Sequence, residues 1–156
     1  KLLQDYRLPP HLLELELTES ILLQDAQEAA QRLEKVAALG VALAIDDFGT
    51  GYSSLAYLKN LPIQKLKIDQ SFVRGIPVDE GDRAIASAIV HLGRALRLSV
   101  VAEGMETAAQ RQALQAMACD FYQGYLCSAA LPSDDMTLLL SESTLRPPVP
   151  PAQTSI

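Results

Sequence analysis

Val41-Ala42-Leu43-Ala44-Ile45-Asp46-Asp47-Phe48-Gly49-Thr50-Gly51-Tyr52-Ser53-Ser54 is the stretch on which the fold turns. It starts apolar and β-prone, ends abruptly in two adjacent carboxylates, and runs on into a loop of glycines and hydroxyl side chains. Successive residues of a strand point to opposite faces. Asp46 and Asp47 can therefore serve one site only where the strand ends and the backbone turns. Carboxylates at the end of a buried strand are costly to leave unpaired, and a hard divalent cation such as Mg²⁺ or Mn²⁺ is one natural partner. A helix N-cap followed by a turn is the plainer reading of the same residues.

Outward from this stretch the same order repeats. Residues 11–19 read as a strand, with Leu13, Leu15 and Leu17 alternating with Glu14, Glu16 and Thr18. Ser20 is placed as the N-cap of a helix over 21–39, which Gly40 stops. Further strands are expected at 41–47, 65–69, 99–103 and 120–126. Helices are expected at 54–61, 82–96, 107–117 and 133–140. A short amphipathic piece, 1–8, precedes Pro9-Pro10.

Strand then helix throughout means parallel strands joined by right-handed crossovers. Polar residues recur where each strand ends: Glu16 and Glu19, Asp46 and Asp47, Lys67 and Asp69, Glu103 and Glu106, and Gln123. In a (β/α)₈ barrel all such ends meet at one face, whereas an open doubly wound sheet spreads them along an edge. The pattern favours an α/β fold of the TIM-barrel type, incomplete here, with about five of the eight strands.

The chain has 156 residues, 49% of them hydrophobic and 21% charged, ordinary values for one globular domain with a real core. A net charge of -6 offers no basic face for duplex nucleic acid, although bound cations can invert the local sign for a phosphate ligand. Cys119 and Cys127 form neither a CxxC pair nor a disulfide framework, and are read as reduced thiols of a cytoplasmic protein. No apolar run reaches membrane-span length and no signal peptide is visible. The sequence starts at Lys1 without a methionine, as a piece of something longer would. Residues 1–140 are assigned to the domain. Residues 141–156, with Pro147, Pro148, Pro150 and Pro151, are expected to be a disordered tail.

Glu16-Leu17-Thr18-Glu19-Ser20, Asp46 to Ser54, Lys67-Ile68-Asp69, Ala102-Glu103-Gly104-Met105-Glu106-Thr107 and Gln123-Gly124-Tyr125 together resemble the EAL-domain phosphodiesterases of cyclic di-GMP, in that family's order and spacing, between Lys1 and Pro132. The resemblance implies hydrolysis of cyclic di-GMP to linear pGpG in bacterial second-messenger signalling, using two Mg²⁺ or Mn²⁺ ions. It implies Glu16, Asp46 and Asp47 as metal ligands. Lys67 would hold the attacking water or the phosphate, and Glu103 would act as general base or hold the water. Glu106 and Gln123 would support the site, and Glu19 would brace the loop from Phe48 to Ser54. It further implies a homodimer through the region after Asp47, and an upstream sensor or cyclase domain in a longer chain.

Plainer roles stand beside these. Glu19 also suits a first-turn acid at a helix N-terminus, Glu106 a solvated helix start, Lys67 an ion pair with Asp69 or Asp47, and Gln123 a satisfied polar group at the rim. His11 and His91 read as surface or packing residues.

The sequence also departs from the family pattern. The Glu-Ala-Leu signature has no counterpart here, nor has the Asn ligand of the strand before Glu16. Met105 replaces a commoner Val, and Ala129-Ala130 precede Leu131-Pro132 where a Pro is commoner. With ligands absent, a domain that binds cyclic di-GMP or a protein partner without cutting it is the alternative function. Open strand edges lead to the expectation that the chain is marginally stable or associates with another copy.

Overall fold

The computed structural model describes residues 1–19, 26–51 and 58–141. Five strands lie side by side in chain order: β1 Glu14–Thr18, β2 Ala42–Phe48, β3 Lys65–Ile68, β4 Ser99–Ala102 and β5 Phe121–Tyr122. Every neighbouring pair is parallel. The described helices are α1 Leu2–Asp5, α2 Ala26–Ala37, α3 Gln70–Gly75, α4 Glu80–Leu96, α5 Ala108–Ala116 and α6 Ser133–Ser141, with a 3₁₀ turn at Pro10–Leu12. Each crossover steps one strand in the same direction. That progression belongs to a barrel, because a doubly wound sheet reverses at a switch point. The five-stranded sheet is thus an incomplete (β/α)₈ barrel.

The two faces of the sheet differ sharply. Leu43 and Ile45 of β2, Leu66 and Ile68 of β3, and Val100 and Ala102 of β4 are all fully buried. They pack with Leu33 of α2, Val73 of α3, Ala86, Ile89 and Val90 of α4, and Leu114 of α5 into one apolar cluster. The alternate residues, Glu14 and Glu16, Ala44 and Asp46, Lys65 and Lys67, share the other face, as the period of two requires. Parallel pairing puts all five C-terminal strand ends on one side, where the polar residues gather.

Three elements differ from the sequence expectations. The first strand begins at Glu14 rather than residue 11, because Pro10 to Leu12 close a 3₁₀ turn. The last strand is cut to Phe121–Tyr122, since the chain turns at Gly124. Helix α3 was not anticipated. Asp69, read as the end of a strand, is its N-cap, accepting the Ser71 amide at 2.8 Å and the Ser71 hydroxyl. Ser20 and the helix start at 21–25, residues 54–57 of the helix expected at 54–61, and residues 142–156 of the tail lie outside the described residues.

Helix α5 starts with a capping box. The Thr107 hydroxyl accepts the Gln110 amide at 3.2 Å, while Gln110 Oε1 accepts the amides of Thr107 and Glu106 at 2.8 Å each. Thr107→Ala is expected to lower unfolding free energy by about 1 kcal/mol. An unchanged urea midpoint would show the cap to be idle.

Candidate functional site

Asp46 and Asp47 meet one site through a bulge rather than through the end of a strand. The pairing of β2 with β3 shifts register between Ile45 and Phe48. Asp47 takes a left-handed backbone, φ 53, which a short polar side chain tolerates better than most. Its amide donates to Asp46 Oδ1 at 3.1 Å. Strand β2 then continues to Phe48, which returns to the core.

Lys67 is the centre of the site. It is 4% exposed, and its ammonium lies 2.7 Å from Glu16 Oε1, 2.7 Å from Glu103 Oε1 and 3.1 Å from Asp46 Oδ1. Neighbouring strands thus deliver their inward carboxylates to one cation. Burial alone would depress the ammonium's pKa, but the bonds to Glu103, Glu16 and Asp46 outweigh it and hold Lys67 above the ordinary lysine value. The partners are not Asp69 or Asp47, the two named for a plain structural ion pair. Gln123 Nε2 donates to the same Glu103 oxygen at 2.7 Å, fixing that carboxylate from the side of β5. Two residues deeper on the same face, Lys65 pairs with Glu14 at 2.5 Å.

Asp46, Asp47 and Glu103 each offer an oxygen within 4.8 Å of the others. Asp47 also meets Asp69, whose carboxyl shares a hydrogen bond with it. Burial, the Asp69 contact and the charge of Asp46 raise the Asp47 pKa. Burial pushes Asp69 the same way, but the Ser71 hydroxyl and amide prevail and hold it low. Burial raises Glu103 too, against the pull of Lys67. Three carboxylates, those of Glu16, Asp46 and Glu103, thus hold one ammonium, with Asp47 beside Asp46 and Glu103 and Asp69 beside Asp47. This all-oxygen, over-acidic donor set fits a hard divalent cation. Because Asp47 and Glu103 hold protons more tightly than ordinary carboxylates, a cation must displace those protons. Affinity for Mn²⁺ is expected to climb as pH rises through and above the carboxylate range, and a calorimetric titration at several pH values reads this directly. A flat profile would remove these two groups from the ligand set.

Glu19 is buried, and its Oε2 accepts the amides of Gly49 at 3.1 Å and Gly51 at 3.2 Å. A Cβ on Gly51 would stand 3.0 Å from the Glu19 carboxyl carbon, so the glycine is what lets the loop close onto it. The brace on the loop reaches at least to Gly51; residues 52–57 lie outside the described residues. Glu19→Ala is expected to cost about 2–3 kcal/mol by stranding two amides, measured by urea unfolding, and an unaltered midpoint would refute the brace. Glu106 stands apart: its side chain is exposed and joins no ion pair among the described residues. Asp69 and the Glu14–Lys65 pair were not singled out as site residues, although Asp69 lies two residues beyond Lys67, the spacing of one strand face.

A family model described as the EAL domain matches residues 1–130. The chain belongs to the EAL domain family. It is 49% identical over 128 residues to the bifunctional diguanylate cyclase/cyclic di-GMP phosphodiesterase MucR of Pseudomonas aeruginosa, which covers 82% of this chain and 18% of MucR. It is 50% identical over 120 residues to the cyclic di-GMP phosphodiesterase NbdA of the same organism, covering 77% of this chain and 15% of NbdA. The EAL chain thus spans less than a fifth of the length of these relatives. Among solved structures, the MucR phosphodiesterase in complex with c-di-GMP superposes with a TM-score of 0.83 at 48% identity, over 86% of this chain and 54% of that one. A manganese/cy-diGMP complex of Klebsiella pneumoniae BlrP1 superposes with a TM-score of 0.74 at 34% identity, over 80% of this chain and 32% of that one. No described helix is long and apolar enough to cross a membrane.

Proposed function

We propose that this EAL chain is the part of a cyclic di-GMP phosphodiesterase that carries the carboxylate–lysine centre, and that it acts on cyclic di-GMP to give linear pGpG. The observation that carries the reading is the Lys67 ammonium held by Glu16, Asp46 and Glu103, with Asp47 beside them. Asp46, Asp47 and Glu103, joined by Glu16, would hold Mg²⁺ or Mn²⁺. The chemistry such a cation supplies is charge stabilisation at phosphate oxygens and a more acidic water near neutral pH.

The remaining work falls to the chain's own groups. Lys67, charged at any physiological pH, orients an anionic phosphate from the floor of the site. Glu103, with its raised pKa, is suited to accept a proton from water. Gln123 keeps the Glu103 carboxylate in one orientation. Glu19 fixes the start of the loop beside Asp47.

Calorimetric titration of cyclic di-GMP into the chain with Mn²⁺ present tests the assignment. Binding is expected to be abolished by a chelator and weakened at least about tenfold by Asp46→Asn, the loss of one charged contact. Equal binding in the variant would place the ligand elsewhere.

A further inference from the structure

On the outer, helical layer, away from the carboxylate centre, α4 and α5 enclose a groove of about 420 Å³. One wall carries Arg83, Ser87, His91 and Arg94, spaced four, four and three residues along α4; the other is made of alanines and Met117 from α5 and the turn after it. Among the described residues no carboxylate lines it, although the chain as a whole is acidic. The basic groups are held in place. Arg83 Nε and a terminal nitrogen donate to the carbonyls of Ile76 and Pro77 at 3.2 and 3.3 Å. Arg94 donates to the Ala118 carbonyl at 2.9 Å. His91 Nδ1 is 2.7 Å from the Ser87 carbonyl, which makes Nδ1 the donor and leaves Nε2 for a partner. Both guanidinium groups keep donors to spare, because each has five.

We propose that this groove docks an acidic helix presented by a partner protein. Arg83 and Arg94 lie about 16 Å apart along the axis, too far for one small anion and equal to about three turns of a helix laid alongside. The alanine wall lets a second backbone approach closely, and the fixed arginines bind carboxylates without first losing side-chain freedom. The surface is separate from the proposed catalytic centre and does not depend on it.

The test is an NMR titration of the chain with an Ala-rich helical peptide carrying Glu at every fourth position. Amide shifts confined to α4 and α5 are expected, with a dissociation constant on the order of 10⁻⁴ M, as suits a small contact. Binding should weaken at least about tenfold in Ser87→Glu and in His91→Glu, half-buried and exposed positions whose side chains take no part in the arginine–carbonyl bonds. No shifts at millimolar peptide would overturn the proposal. So would equal binding of a Gln-substituted peptide, equal shifts with inorganic phosphate alone, or shifts that grow with protein concentration in the absence of peptide.

Discussion

Replacing Lys67 with methionine is expected to lower the unfolding free energy at neutral pH by about 3–5 kcal/mol, the usual result of removing one partner from a buried charged cluster. Glu16, Asp46 and Glu103 would then face one another with no cation between them. The sign of the pH dependence follows. Lys67 has a folded-state pKa above its unfolded value. Its contribution is therefore whole at neutral pH and fades only as pH rises through that upper value. In the variant the penalty is repulsion among the carboxylates, so it shrinks as pH falls and Glu103, whose pKa burial already raises, takes up a proton. Mn²⁺ should also stabilise the variant more than the parent, by supplying the missing positive charge. Urea midpoints at neutral and acid pH, with and without Mn²⁺, read all of this. A variant as stable as the parent at neutral pH would mean that the three carboxylates are not held close together.

The second large effect is expected at Gly124. Here the chain leaves β5 with φ 152, and a Cβ would come within 2.3 Å of both the amide nitrogen and the carbonyl oxygen of Met105. The approach is enforced from both sides: the Met105 amide donates to the Gln123 carbonyl at 3.0 Å, and the Leu126 amide to the Met105 carbonyl at 3.0 Å. The obstacles are backbone atoms and cannot swing aside. Gly124→Ala is expected to cost about 2–4 kcal/mol through overpacking and backbone strain. It should also pull Gln123 off Glu103 and so weaken cyclic di-GMP binding beyond what lost stability explains. A variant with the parent's midpoint and affinity would show that the turn after β5 yields readily.

Much of this was written in the sequence because it depends on period and on position. The alternation of Leu13, Leu15 and Leu17 with Glu14, Glu16 and Thr18 set the faces of β1, and polar residues at successive strand ends announced a common rim. What stayed hidden depends on contacts between distant residues. The carboxylate pair suggested the end of a strand, yet the chain solves the same problem with a bulge and one left-handed residue, Asp47, and then continues to Phe48. Asp69 looked like one more strand-end acid, but its partners Ser71 and Asp47 make it both a helix cap and a neighbour of the site. Helix α3 is too short for a helical period to show against the strand before it. Glu106 shares a motif with Glu103 but not its environment, since one side chain faces solvent and the other faces Lys67.

The central claim is that the Lys67-centred carboxylates perform metal-dependent hydrolysis of cyclic di-GMP. Incubating the purified chain with cyclic di-GMP and Mn²⁺, beside an Asp46→Asn variant shown to be folded, tests it most directly. Linear pGpG from the parent and none from the variant is the predicted result. Folded parent protein that binds cyclic di-GMP and releases no product would contradict it and leave a binding domain in place of an enzyme.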